Sequence, residues 1–237
     1  MLTRLLNVVR RPTILIAFIQ HRLHKLLEVF YAKYDSTFQY SSVDRVLFID
    51  CGSNLGQGYS WFSKFFSQNN IDFELFEPNP NCHKLLEEIA DVKSGKVKLN
   101  KGGIGIKDEQ VKFYGLDDSE GGIFSQGGSV QIDHNLKFYD KSQRNFIEVT
   151  IFNFSGYLEE KAKKYDKIIV KMDIEGAEVD LLESMINDST INFIDVLYVE
   201  FHSQFQDSKL SKITEIREND IKKKIKRQAK PLLRIWH

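Results

Sequence analysis

The side chains of this sequence best suited to handling protons stand where apolar runs end. Val46-Leu47-Phe48-Ile49 leads into Asp50, and Phe73-Glu74-Leu75-Phe76 leads into Glu77. Further on, Lys167 to Met172 (KIIVKM) leads into Asp173, and the run from Asp195 (DVLYV) leads into Glu200-Phe201-His202. Continuous apolar runs of this length read as strands covered on both faces. In an open parallel sheet, ligands bind outside the carboxyl ends of such strands. Carboxylates and an imidazole gathered there can accept hydrogen bonds from hydroxyls, take up a proton, or hold a hard divalent ion.

The turn after the first run narrows the ligand. Arg45 to Phe62 reads RVLFIDCGSNLGQGYSWF, a strand, a glycine turn and the start of a helix. Its D-x-G-x-x-x-G spacing is neither the G-x-G-x-x-G of dinucleotide sites nor the G-x-x-x-x-G-K-[ST] of phosphate loops. Gly52 and Gly56 let backbone pass close to a ligand with no Cβ in the way. An acid beside such a loop suits a cationic amine better than a pyrophosphate. Glu77 follows Asp50 by 27 residues and stands where a second-strand carboxylate accepts from ribose hydroxyls. The pair fits S-adenosylmethionine, with Asp50 at the amino-acid end and Glu77 on the ribose.

Methyl transfer from a sulfonium needs position and a proton acceptor. His202 is the best single candidate for general base, because an unperturbed imidazole titrates near pH 6.5. Asp173 either orients it or acts itself. Asp173, Glu175, Glu200 and His202 are also oxygen and imidazole donors suited to magnesium, manganese or zinc. A divalent cofactor held by Asp173, Glu200 and His202 would lower the pKa of a bound hydroxyl. His21, His24, His83, His134 and His237 show no ligand spacing with a cysteine.

The rest of the chain must position these groups. Its 237 residues allow one large α/β domain with an appendage. Formal net charge is zero, so no global field argues for nucleic acid. Two cysteines, Cys51 and Cys82, give no disulfide framework, which implies a reducing, cytoplasmic compartment. Alternating strand and helix patterns over 45–201 argue a doubly wound, mostly parallel sheet. Gly102 to Gly105 reads as a loop, Ser155 as a helix cap, 206–230 as a charged helix and Leu232–Trp236 as a last edge strand. Asp117 to Val130 (DDSEGGIFSQGGSV) is too glycine-rich for a regular element and reads as a flap over the site.

Residues 1–40 form a basic helical extension before a domain at 41–237. Within 1–34, Arg4, Arg10, Arg11, Arg22, Lys25 and Lys33 oppose the single acid Glu28, a local charge of +5. Pro12 splits the segment into two helices. The plain expectation is packing on the domain or on a second subunit in a homo-oligomer. The sharper one is peripheral contact with an anionic membrane.

At FIDCGSNLGQG, FELFEPN, KMDIEGAEVDLLES and YVEFH the chain resembles the FkbM-type family of S-adenosylmethionine-dependent methyltransferases. The likeness covers about 44–202, and Asp173 to Glu178 (DIEGAE) is its most specific part. It implies a Rossmann-like methyltransferase fold and O-methylation of a sugar or glycan acceptor. By position, Asp50, Gly52, Ser53, Asn54 and Glu77 look like cofactor residues. Asp173, Glu175, Glu200 and His202 look like the active-site rim. A non-catalytic nucleotide-binding or scaffold protein that kept the fold is the alternative.

Overall fold

The computed structural model describes residues 43–66, 71–116, 128–132, 146–205 and 208–236. The two N-terminal helices and most of the glycine-rich flap expected from the sequence lie outside them. All described residues belong to one unit spanning Ser42–His237.

In chain order the elements are β1 (Val46–Cys51), α1 (Gln57–Phe62), β2 (Ile71–Phe76), α2 (Pro80–Glu87), α3 (Ala90–Lys93), β3 (Val97–Asn100), β4 (Gly103–Gly105) and β5 (Glu109–Tyr114). Then follow β6 (Phe146–Asn153), α4 (Phe154–Ala162), β7 (Lys167–Met172), α5 (Glu178–Asn187), β8 (Val196–Val199), α6 (Ser208–Gln228) and β9 (Leu232–Ile235). Six strands form a parallel sheet ordered β3-β2-β1-β7-β8-β9. The order reverses between β1 and β7. A doubly wound sheet opens its ligand crevice at such a point.

Period-two alternation decides what each strand sends where. Leu47, Ile49 and Cys51 of β1, Ile168, Val170 and Met172 of β7, and Leu197 and Val199 of β8 share one core. That core is closed by Leu158 of α4, Leu181, Leu182 and Met185 of α5, and Ile221 and Ile225 of α6. The intervening residues face α1. Phe48 packs against Phe62 at 4.6 Å, and Tyr198 against the same ring at 4.9 Å. Asp50 and Lys171 belong to this second set and are direct partners across the β1–β7 register. Strand pairing therefore sets the acid and the lysine side by side on the face that α1 covers.

Two local readings change. Gly103–Gly105 is a strand, paired parallel to β6 in a smaller sheet ordered β4-β6-β5. The cap of α4 is Asn153, whose side chain accepts from Gly156 N, two residues before the Ser155 expected there. The final strand β9 is the edge expected, parallel to β8. No helix among the described residues is long and apolar enough to cross a membrane.

Candidate functional site

At the switch point the chain leaves β1 through a turn that is pinned from two sides. Gly52 N and Ser53 N both donate to Phe76 O at 3.0 Å, which ties the turn to the end of β2. On its other side Gly52 lies against the backbone of Asp173. A Cβ built at Gly52 would sit 1.8 Å from the Asp173 carbonyl oxygen, and φ is +78°. The close approach that glycine permits here is to the protein's own next strand. Gly56 is the left-handed N-cap of α1 and does not line the cleft.

Asp50 is fully buried below the cleft. Its Oδ2 accepts from Tyr59 N at 3.0 Å, holding the start of α1, and its Oδ1 lies 3.2 Å from Lys171 Nζ. The cation that Asp50 meets is this lysine, and Asp50 is not among the residues that line the cleft, where the sequence placed it beside a ligand amine. Burial raises the Asp50 pKa, and Lys171 opposes the rise. Lys171 Nζ also reaches Gly52 O and Asp173 Oδ2, both at 3.1 Å. The ammonium thus makes one hydrogen bond, to Gly52 O, and two ion pairs, to Asp50 and Asp173. Burial lowers the lysine's proton affinity, but Asp50 and Asp173 outweigh it and the net shift is upward.

Glu77 stands at the β2 end of the cleft, buried, as the sequence suggested. Its Oε2 accepts from Asn54 N at 2.6 Å and its Oε1 from Asn79 N at 2.7 Å. Burial lifts its pKa to about 7, against the pull of those two N–H groups. Gly52, Ser53 and Asn54 line the same cleft.

The opposite wall carries Asp173, Glu175, Glu200 and His202. His202 is buried, and its Nδ1 lies 2.9 Å from Glu178 Oε1. Its Nε2 lies 3.6 Å from Glu175, 3.7 Å from Asp173 and 4.0 Å from Glu200. Buried Glu178 also accepts from Ile174 N and Gly176 N. One carboxylate therefore fixes both the imidazole and the turn that carries Asp173 and Glu175. Burial lowers the histidine's pKa, but the Glu178 hydrogen bond and the charges of Glu178, Glu175 and Asp173 raise it to about 10. Burial and the nearby Asp173 lift Glu200 to about 7, with His202 opposing. Ligand atoms of Asp173, Glu175 and His202 all lie within 4.8 Å of one another.

The smaller sheet and the far end of the glycine-rich segment supply apolar wall through Ile104, Phe113, Val130 and Ile151. Ser129 Oγ donates to Glu175 O at 2.6 Å, so this end is tied to the acidic turn. Sequence reasoning missed Lys171, Glu178 and Trp236. A lysine inside a doubly covered strand was the available signal for the first. For the second it was a third acid within one short turn.

The six-stranded parallel sheet with its flanking helices and the glycine turn at its switch point define a Rossmann-like α/β protein. The methyltransferase FkbM domain family model matches residues 50–221, and the chain belongs to that family of methyltransferases. No curated protein and no solved structure matches the chain.

Proposed function

We propose that the protein is an S-adenosylmethionine-dependent O-methyltransferase acting on a hydroxyl of a sugar or glycan. The observation that carries this reading is a single cleft with a glycine turn and Glu77 on one wall and an acid–histidine group on the other. When bound, S-adenosylmethionine supplies an electrophilic methyl for in-line transfer. Each Glu77 oxygen already accepts one backbone N–H, and a carboxylate has further lone pairs for two ribose hydroxyls. The acceptor wall is rich in carboxylates. It therefore favours a ligand with several hydroxyl donors and opposes phosphate-bearing acceptors such as nucleic acid.

The attacking hydroxyl must lose its proton. His202, with its pKa near 10, keeps its own proton at neutral pH, and its charge attracts Asp173 and Glu175 at 3.7 and 3.6 Å. This changes the role the sequence suggested for it. Glu200 titrates near 7 and is the group matched to general-base work at neutral pH. The donor set also fits a hard divalent cation, for which Asp173, Glu175 and His202 would be the ligands. Such an ion acidifies a bound hydroxyl. Both cysteines are free and buried, which supports a cytoplasmic location.

The test has two stages. Isothermal titration with S-adenosylhomocysteine should show binding; no binding would leave the scaffold alternative. Methyl transfer from labelled donor to a panel of methyl glycosides should then be seen. Glu200→Gln should lower kcat by about 10²–10⁴-fold. With S-adenosylmethionine saturating, the wild-type kcat/KM for the acceptor should rise with pH through about 7 as Glu200 ionises, and that limb should vanish in the variant. Inhibition by EDTA, reversed by manganese, would assign the acid–histidine group to an ion.

A further inference from the structure

The family match ends at residue 221, and the strand that closes the sheet lies beyond it. β9 runs parallel to β8 with Ile235 opposite Val199, and Trp236 N donates to Val199 O at 2.9 Å. That bond sets Trp236 level with Glu200 on the neighbouring strand. The indole is held by two rings of α1. Trp61 meets it edge-on at 5.1 Å and 70°, and buried Phe62 lies tilted against it at 5.0 Å and 33°. Trp236 remains only partly buried and lines the cleft with Gln57, Gly58, Glu200 and His202. A rigid aromatic surface therefore stands beside carboxylates that accept hydrogen bonds.

A pyranose has the matching chemistry. Its C–H face is apolar and suits an aromatic ring, while hydroxyl donors project around its rim. An aromatic side chain binds such a face at low entropic cost because few torsions must be frozen. We infer that Trp236 is the stacking platform of the acceptor subsite, with the sugar's C–H face on the indole and its hydroxyls on Glu200 and Glu175. The residue is then a specificity determinant contributed by a segment outside the family domain. The inference rests on the sugar reading above.

The chain has two tryptophans, so Trp61→Phe leaves Trp236 as the sole indole and keeps a ring in its packing position. Methyl α-pyranosides of hexoses, deoxyhexoses and uronic acids are titrated into this protein with S-adenosylhomocysteine present. The sugar that the wild type methylates should shift or quench Trp236 fluorescence, and poor acceptors should not. Trp236→Ala should raise that sugar's KM about tenfold, and Trp236→Phe by less, with S-adenosylhomocysteine affinity unchanged. If Trp236→Ala fails to fold, the Phe variant and the fluorescence response decide. A methylated sugar whose KM ignores position 236 overturns the platform and leaves the proposed activity standing. A loss of S-adenosylhomocysteine affinity at 236 overturns it by assigning the indole to the cofactor wall. A protein that binds S-adenosylhomocysteine but methylates no saccharide overturns both the platform and the sugar acceptor.

Discussion

On the β2 wall of the cleft, the acid is already engaged by backbone: Glu77 takes an N–H from Asn54 and another from Asn79. Below the cleft, Asp50 takes one from Tyr59. On the β8 wall, side chains face side chains, with Asp173, Glu175 and Glu200 gathered around the outer nitrogen of His202. Backbone donors fix a geometry that suits one invariant ligand. Side-chain clusters leave charge and lone pairs to be completed by whatever the acceptor brings. The β2 wall is preorganised by the turn itself, and the β8 wall by a single buried carboxylate, Glu178, behind it.

Lys171 is the group that touches both walls, through Asp50 and Gly52 on one and Asp173 on the other. Breaking it should have the largest effect. Lys171→Met leaves Asp50 buried without its cation and should destabilise the fold by about 3–5 kcal/mol. Chemical denaturation measures this. Combining it with Asp50→Asn should recover part of the loss, since the stranded charge is then gone. A single variant within about 1 kcal/mol of wild type, the size of an exposed pair, would show that the walls are not joined by this ion pair.

Gly52→Ala comes next. The added methyl would meet the Asp173 carbonyl, and the residue would have to keep a left-handed backbone. Overpacking and the left-handed penalty together suggest about 2–5 kcal/mol. Because the turn and the acidic strand end must separate, S-adenosylhomocysteine binding should fall along with the denaturation midpoint. A variant that keeps both would mean the close approach is slack.

The large sheet was legible because β1, β7 and β8 are mostly apolar runs and because alternation with helices implies parallel strands; the order of the strands was not. β4 was not, since Gly103-Ile104-Gly105 carries the residues of a loop and becomes a strand only by pairing with β6. The strand-end acids were legible as a set, but not their partners. Asp50 reads as ligand-facing until the β1–β7 register sets it against Lys171. The proton on His202 depends on Glu178, which lies on the following helix and has no local signature linking it to the histidine. Trp236 could be placed in a strand but not in the cleft, because only packing on α1 carries it there.

The smallest effect separates the walls by pH. In the folded protein, burial lifts Glu77 to about 7 from an ordinary value of 4.5. Its protonated form therefore adds stability that is fully present below pH 4.5 and lost as pH rises through about 7. Ribose hydroxyls donate to the ionised carboxylate, so binding them favours release of that proton. S-adenosylhomocysteine affinity should accordingly weaken as pH falls below 7, by at most about tenfold per unit for one linked proton. Glu200 titrates in the same range, so the titration belongs in a Glu200→Gln background without acceptor. There, Glu77→Gln should flatten the pH dependence. Glu77→Ala should reduce affinity about tenfold to a hundredfold, the cost of losing a charged hydrogen-bond acceptor. A slope that survives Glu77→Gln would place the linked proton on the acceptor wall and erase the distinction between preorganised and responsive halves.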